Sequence, residues 1–267
     1  MYLPYMKNIF LTTFFSIFIG TAIAQNTNSL WIGLSPTVQT TKETRYTSTF
    51  RSGLGYVGTL GYSSVNEKRT IFFETEFTST TLGSSNISST RNLQPNIQFS
   101  YLFQKAEKVN FGPDLQIGSL LQFRNGITSS NNKISYLIWN SLGLSMNKSF
   151  LLGSSERPIP IILTASLPLL SYLIRPSYSF PFTDRFLEQE NYNFDLDNLS
   201  SSIIKGGKIR TLNSFIHLKF GVEAYRFKKN LGGSLKYQFN YLSYLKQKSL
   251  FQFTHQLIFT FIINNRK

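Results

Sequence analysis

The sequence predicts an all-β protein, a transmembrane antiparallel up-and-down β-barrel of about ten strands, with eight to twelve strands possible. Three observations predict this fold class. Apolar and polar residues alternate with a period of two in many segments after Gln25, which is typical of strands with one apolar face. The segments run to about twelve residues or more, whereas strands of a soluble β-sandwich average about 5 to 6. Aromatic residues make up 15% of the chain, with 25 Phe and 14 Tyr, as expected for aromatic girdles at two membrane interfaces.

The N-terminal segment 1–24 predicts a cleavable signal peptide. Lys7 precedes a largely apolar run over 9–19, and the small-residue segment Ala22-Ile23-Ala24 follows. A basic start, an apolar core and a small-residue cleavage site are the three parts of a secretory signal. An uncleaved anchor would need about 20 apolar residues. We therefore expect cleavage after Ala24, export, and one mature barrel domain over 25–267.

The strands are justified by alternation along the chain. Within 93–104, Ile97, Phe99 and Tyr101 share one face, and Gln98 and Ser100 share the other. The same alternation, read segment by segment, predicts ten strands. Their ranges are 29–40, 46–62, 69–81, 91–104, 111–124, 133–146, 158–174, 210–226, 233–246 and 250–264.

The predicted connections differ in length on the two sides of the barrel. Those at 63–68, 105–110 and 227–232 are short, whereas the connection over 175–209 is the longest in the chain. Short periplasmic turns and long extracellular loops are typical of outer-membrane barrels. We therefore expect 175–209 to be an extracellular loop and both termini to be periplasmic.

The segment from Pro158 to Ile174 is apolar enough to suggest a transmembrane helix, but it contains Pro158, Pro160 and Pro168. Each proline would remove a helix hydrogen bond. Proline also cannot donate a hydrogen bond inside a paired strand. The sequence therefore predicts a strand with a bulge or an irregularity near Pro168.

The mature chain resembles the outer-membrane β-barrel proteins of Bacteroidetes-type bacteria. The resemblance is carried by Ala22-Ile23-Ala24 before Gln25, by Gly112-Pro113-Asp114-Leu115-Gln116-Ile117-Gly118, and by strands whose aromatic residues share one face. It implies the barrel fold and a location in the outer membrane. It implies no catalytic residue.

The formal net charge is +14, and the basic residues fall near both predicted rims of the barrel. Lys68, Arg69, Lys105, Lys108, Lys148, Lys228 and Lys229 lie on one side, and Arg91, Arg124, Lys133, Arg175, Lys246 and Lys248 on the other. Because these cations are not clustered and the chain is exported, nucleic acid is not an expected partner. Phosphates of membrane lipid and lipopolysaccharide are expected partners, and solvated loop charge is the alternative.

The polar faces of the strands predict a charged network in the barrel lumen. Its members are Glu74, Glu76, His217, Lys219, Glu223 and Lys236, with Arg51 as a further candidate cation. Paired carboxylates can perform acid and base chemistry, but two on one strand more naturally neutralise nearby cations. A barrel of about ten strands is narrow enough for such side chains to fill it. We expect a plug and no cofactor or metal.

The connection over 175–209 contains an acidic cluster of Asp184, Glu188, Glu190, Asp195 and Asp197. Their spacing lacks the pattern of a dedicated calcium loop, so solvated acidic residues are the expectation. The same connection is rich in Phe and Tyr. It is therefore expected to fold over the barrel mouth or to contact another envelope protein.

The sequence predicts a non-enzymatic outer-membrane barrel that serves as an anchor or interaction subunit. A narrow passive channel for small solutes is the alternative. A lipid-modifying enzyme is a third possibility, in which His217 would be the general base. The other histidine, His255, is expected on the lipid-facing side of the last strand.

Overall fold

The chain forms a closed antiparallel β-barrel, as the alternation predicted. The computed structural model describes residues 27–44, 49–83, 89–106, 108–124, 134–153, 158–175, 207–228, 230–245 and 249–265. Strands adjacent in the sequence pair with each other, except for one short strand described below, and the first strand pairs with the last. That last pairing removes both free edges of the sheet.

The strands are β1 (Thr27–Glu43), β2 (Arg51–Val65), β3 (Arg69–Leu82), β4 (Thr90–Ala106), β5 (Val109–Arg124), β6 (Ile134–Leu152), β7 (Ile159–Ile174), β8 (Lys208–Thr211), β9 (Phe215–Lys228), β10 (Leu231–Tyr244) and β11 (Leu250–Asn265). Both β8 and β9 pair with β7. A turn separates them, in which the Ser214 N–H donates to the Thr211 carbonyl over 3.0 Å. The eleven segments therefore make ten barrel strands.

The irregularity predicted near Pro168 is confirmed. Pro168 pairs with Gly143 and Leu170 pairs with Leu142, so Leu169 has no partner on β6 and the register shifts by one residue. The bulge lies beside the proline, where the missing N–H would otherwise interrupt the ladder.

Side chains alternate between an apolar exterior and a mainly polar interior. On β11 the Leu257 side chain is 40% exposed, whereas its neighbour Gln256 is only 1% exposed. Leu54 on β2 is 73% exposed on the outer surface. His255 also faces outward, as expected, and its Nδ1 lies 2.8 Å from the Tyr237 hydroxyl.

Two lumenal glycines provide space for the two tryptophans of the chain. Gly61 pairs with Trp31 across β1 and β2, and Gly118 pairs with Trp139 across β5 and β6. A Cβ atom on Gly61 would lie 2.1 Å from a ring carbon of Trp31, and one on Gly118 would lie 2.4 Å from Trp139. Each indole therefore lies over its glycine, inside the barrel.

The two ends of the barrel differ, and we name them by the chain termini. The terminal end carries the start of β1 and the end of β11, together with the short connections between β2 and β3 and between β4 and β5. The distal end carries the connection from β7 to β8, which spans 175–207. It is two residues shorter than the predicted loop 175–209, because β8 starts at Lys208.

In the part of the chain that the structure describes, no helix is long and apolar enough to cross a membrane. The predicted signal peptide 1–24 lies outside the described residues. So does the acidic cluster between 184 and 197.

A charge introduced on the outer face should destabilise the barrel in lipid more than the same charge introduced inside. Leu257→Arg places a cation on the outer surface near the middle of β11 and should cost about 2 to 4 kcal/mol. Thr260 lies on the inner side of the same strand and lines a cavity, so Thr260→Arg should lower the free energy of unfolding much less. Reversible urea unfolding in lipid vesicles measures both. Equal losses would contradict the assignment of the two faces.

Candidate functional site

The carboxylate of Glu76 on β3 is linked to Lys219 on β9 across the lumen. The Lys219 Nζ lies 3.5 Å from a Glu76 oxygen, and both side chains are buried. Strands β3 and β9 are separated by four other strands in the order of the sheet, so the bridge spans the interior. Gln256 also donates to Glu76 over 2.8 Å, and Gln238 donates to it over 3.2 Å.

A second ion pair lies nearer the terminal end. The Lys236 Nζ is 3.5 Å from an oxygen of Glu74, which faces the same side of β3 as Glu76. Glu223 accepts a hydrogen bond from Ser234 and also interacts electrostatically with Lys236. Five of the six predicted network residues are therefore brought together in the lumen, in two linked groups.

His217 faces the lumen but does not join these ion pairs. Its ring packs edge-on against Trp139, with 5.2 Å between the ring centroids. Neither ring nitrogen has a hydrogen-bond partner among the described residues. The candidate cation Arg51 is also distant from Glu74, because Arg51 pairs with Thr41 near the distal end of β2, whereas Glu74 pairs with Gly61.

The sequence analysis missed a buried ionic cluster at the distal end. The Glu43 carboxylate pairs with Arg124 over 2.5 Å and with Arg175 over 2.7 Å. Arg124 also donates to Ser135 over 2.8 Å. The assignment of Arg124 and Arg175 to the solvated or lipid-facing rim was therefore wrong: both point inward and share the Glu43 carboxylate as an ion-pair partner.

A network of amides and hydroxyls from β1, β3, β4 and β11 fills one side of the lumen. The Gln39 carbonyl oxygen accepts from Thr80 over 2.5 Å and from Asn92 over 2.7 Å. Gln252 donates to Gln94 over 2.5 Å. These side chains come from the polar faces identified in the sequence, but period-two alternation does not show which of them meet.

The other side of the distal half is apolar, although it faces the lumen. We call this set of residues the lumenal apolar cluster: Leu120, Leu137, Trp139, Leu173, Phe215, Leu242 and Leu250. The centroids of the Trp139 and Phe215 rings are 6.2 Å apart. The sequence did not predict this cluster: the polar faces extend along most of these strands, whereas the distal parts of β5, β6, β7, β9, β10 and β11 turn apolar residues inward. Adjacent apolar residues such as Leu120 and Leu121 were the available sequence signal.

The terminal half of the lumen contains a cavity of about 450 Å³. Its lining extends from Thr27 and Asn264 at the rim to Gln98 and Lys219 deeper in the barrel. The carboxylates Glu74 and Glu223 line it too. The lumen is thus packed with side chains toward the distal end and hollow toward the terminal end.

No protein-family model and no curated protein matches this chain. It is similar in structure to the translocator domain of the autotransporter NalP from Neisseria meningitidis, at 10% identity and a TM-score of 0.42, covering 96% of this chain and 95% of that one. It is also similar to the outer membrane protease OmpT from Escherichia coli, at 8% identity and a TM-score of 0.45, covering 91% and 98%. A third similar structure is Ail, the attachment invasion locus protein of Yersinia pestis, at 10% identity and a TM-score of 0.34, covering 88% and 99%. At identities and TM-scores this low, neither a function nor a residue role can be carried over to this chain.

Breaking the bridge across the lumen should destabilise the protein more than removing both of its partners. Glu76→Gln leaves Lys219 buried without its counter-charge and should lower the free energy of unfolding by about 3 to 5 kcal/mol. Adding Lys219→Met should restore part of that loss, because no unpaired charge then remains inside. Urea unfolding of the two single variants and the double variant gives the comparison.

Glu67→Gln is the control for this measurement, because Glu67 is exposed in the turn between β2 and β3. It should change the free energy of unfolding by no more than about 0.5 kcal/mol. If the losses of the single variants simply add in the double variant, Glu76 and Lys219 are not coupled.

Proposed function

We propose that the protein is an exported outer-membrane β-barrel that does not conduct ions and serves as an anchor or interaction subunit. The observation that carries the proposal is the filled distal half of the lumen. There the lumenal apolar cluster lies beside the hydrogen bonds of Gln39, and the Glu43 carboxylate pairs with Arg124 and Arg175. A barrel whose lumen is filled in this way has no continuous aqueous path from one end to the other.

The outer surface supports a location in lipid. The shortest complete strands have 14 residues. Such a strand, rising about 3.3 Å per residue and tilted by about 40°, extends about 35 Å along the barrel axis, which is enough to cross a bilayer. Large apolar side chains, including Leu34 and Phe259, are exposed around the barrel. Exposure of this apolar surface to water would be unfavourable, whereas lipid chains would cover it.

Aromatic side chains occur on the outer surface at both ends of the barrel. Tyr101 and Phe103 contact each other near the terminal end, with 4.9 Å between centroids. Phe253 contacts Tyr241 near the distal end, at 5.1 Å. Aromatic residues at both interfaces are typical of membrane barrels. In this arrangement the terminal end faces the periplasm and 175–207 is extracellular, where that connection would contact another envelope protein.

A narrow channel is the second candidate, and the cavity in the terminal half favours it. A lipid-modifying enzyme has less support. Neither histidine hydrogen-bonds a serine or a carboxylate in the described part of the chain: His217 packs on Trp139, and His255 contacts Tyr237. The resemblance to Bacteroidetes-type barrels and the lipopolysaccharide partner stay predictions.

The purified barrel should be electrically silent in a planar lipid bilayer, because the distal half of the lumen is filled. The double variant Trp139→Ala/Phe215→Ala removes two large rings from the lumenal apolar cluster and should produce open-channel current steps. Phe259→Ala on the outer surface is the matched control and should stay silent. Stable current steps from the unmodified protein would favour the channel.

The mature protein should begin at Gln25 if the export signal is cleaved after Ala24. N-terminal sequencing of protein extracted from the outer-membrane fraction tests this directly. An N-terminus that retains Met1 or Met6 would refute the cleaved signal.

A further inference from the structure

The cavity in the terminal half of the lumen has two chemically distinct parts. Near the rim its walls combine apolar side chains, including Trp31, Phe72 and Ile262, with polar ones such as Asn264. The rings of Trp31 and Phe72 stack with 5.3 Å between their centroids. Deeper in the barrel the lining becomes charged, with Glu74 and Glu223 on opposite walls. A ligand that fits this cavity has an apolar body and a polar group directed inward.

The sign of the charge at the base of the cavity is negative. The described charged side chains in and directly below this base are the carboxylates of Glu74, Glu76, Asp114 and Glu223 and the ammonium groups of Lys219 and Lys236. Four negative charges therefore face two positive ones. Buried charges that are not balanced by partners favour a counter-ion.

Of these four carboxylates, Asp114 and Glu223 lack a close ion-pair partner among the described residues. Asp114 is buried and accepts from Gln98 over 2.9 Å and from Ser100 over 2.6 Å, and both donors line the cavity. Glu223 accepts from Ser234 and Tyr225, which are neutral donors. Lys236 is 3.5 Å from Glu74, so it already has a counter-ion.

We propose that this cavity binds a small organic cation, an amine or quaternary ammonium with an aromatic or apolar body. The cationic group would lie beside Glu223 at the base, and the apolar body would contact Trp31 and Phe72. A volume of about 450 Å³ falls within the range of about 300 to 1,000 Å³ that is typical of small-molecule sites. Aromatic faces also attract cations that approach through the mouth. The proposal does not depend on whether the distal half conducts ions.

Three soluble probes of nearly equal shape test the proposal: phenethylammonium, 2-phenylethanol and 3-phenylpropionate. Isothermal titration calorimetry on the full barrel in detergent, with protein-free micelles as the blank, measures each dissociation constant. Phenethylammonium should bind most tightly, and 3-phenylpropionate most weakly. Undetectable binding of phenethylammonium, or equal or tighter binding of either other probe, would overturn the proposal.

The variant Glu223→Gln keeps the shape of the side chain and removes its charge. It should weaken phenethylammonium binding by about tenfold or more, because hydrogen bonds to charged groups contribute more than neutral ones. Its effect on 2-phenylethanol should be small. Glu67→Gln removes an exposed carboxylate at the same end of the barrel but outside the lumen, and it should leave all three dissociation constants unchanged.

Circular dichroism and urea unfolding establish that each variant is folded before titration. If Glu223→Gln does not fold, Glu74→Gln replaces it. Glu74→Gln removes another carboxylate of the cavity lining. Lys236 then loses its ion-pair partner and is free to pair with Glu223, so this variant should also weaken phenethylammonium binding. Unchanged affinity in a folded variant of either kind would contradict the proposed site. Because the readout is binding and not conductance, this result is separate from that of the bilayer experiment.

Discussion

The structure depends on the closure of its hydrogen-bond ladder, in which β1 pairs with β11 from Asn28 and Asn265 to Glu43 and Leu250. Lipid offers no hydrogen-bond partner to a free strand edge, so an open sheet with this outer surface would be unstable there. Closure also divides the side chains of every strand into an outer and an inner set. The exposed apolar residues and the enclosed polar residues are both consequences of that division.

Closure creates an interior that has no access to bulk water over much of its length, and charges placed there need partners. The two ionic groups meet this requirement in different ways. Lys219 reaches Glu76 on the opposite wall, whereas Glu43 receives two arginines at the distal end. Arg175 directly follows β7 and is the first residue of the connection over 175–207. Its pairing with Glu43 therefore fixes the point at which that connection leaves the barrel.

Period-two alternation predicted the strands and the direction of most side chains, because it follows from the pleat itself. It placed Glu74, Glu76 and Lys219 in the lumen correctly. It did not predict which residues meet across the lumen, since that depends on strand register and barrel shear. Glu43 was missed because the first predicted strand ended at 40, three residues before the end of β1.

The apolar part of the lumen was missed for a different reason. Alternation gives the direction of a side chain, so Phe215 and Trp139 fit it as well as an inward-facing glutamine does. Because the inner face was expected to be polar, these two residues were not assigned to the lumen. The composition of these segments did not distinguish the inner face from the outer one, because apolar residues occupy both faces of the strands at this end. Glycine pairing was the more informative signal: Trp139 lies opposite Gly118, and such space is needed where a large ring turns inward.

The terminal half of the lumen is acidic, although the chain carries a formal charge of +14. Arg91 and Arg226 are exposed on the outside of the barrel. The distal half uses Arg124 and Arg175 to neutralise Glu43. The terminal half has more carboxylates than ammonium groups around a hollow space, so the summed charge of its described side chains is opposite in sign to the net charge of the chain. In the proposed non-conducting barrel, this charge faces only molecules that enter from the terminal end.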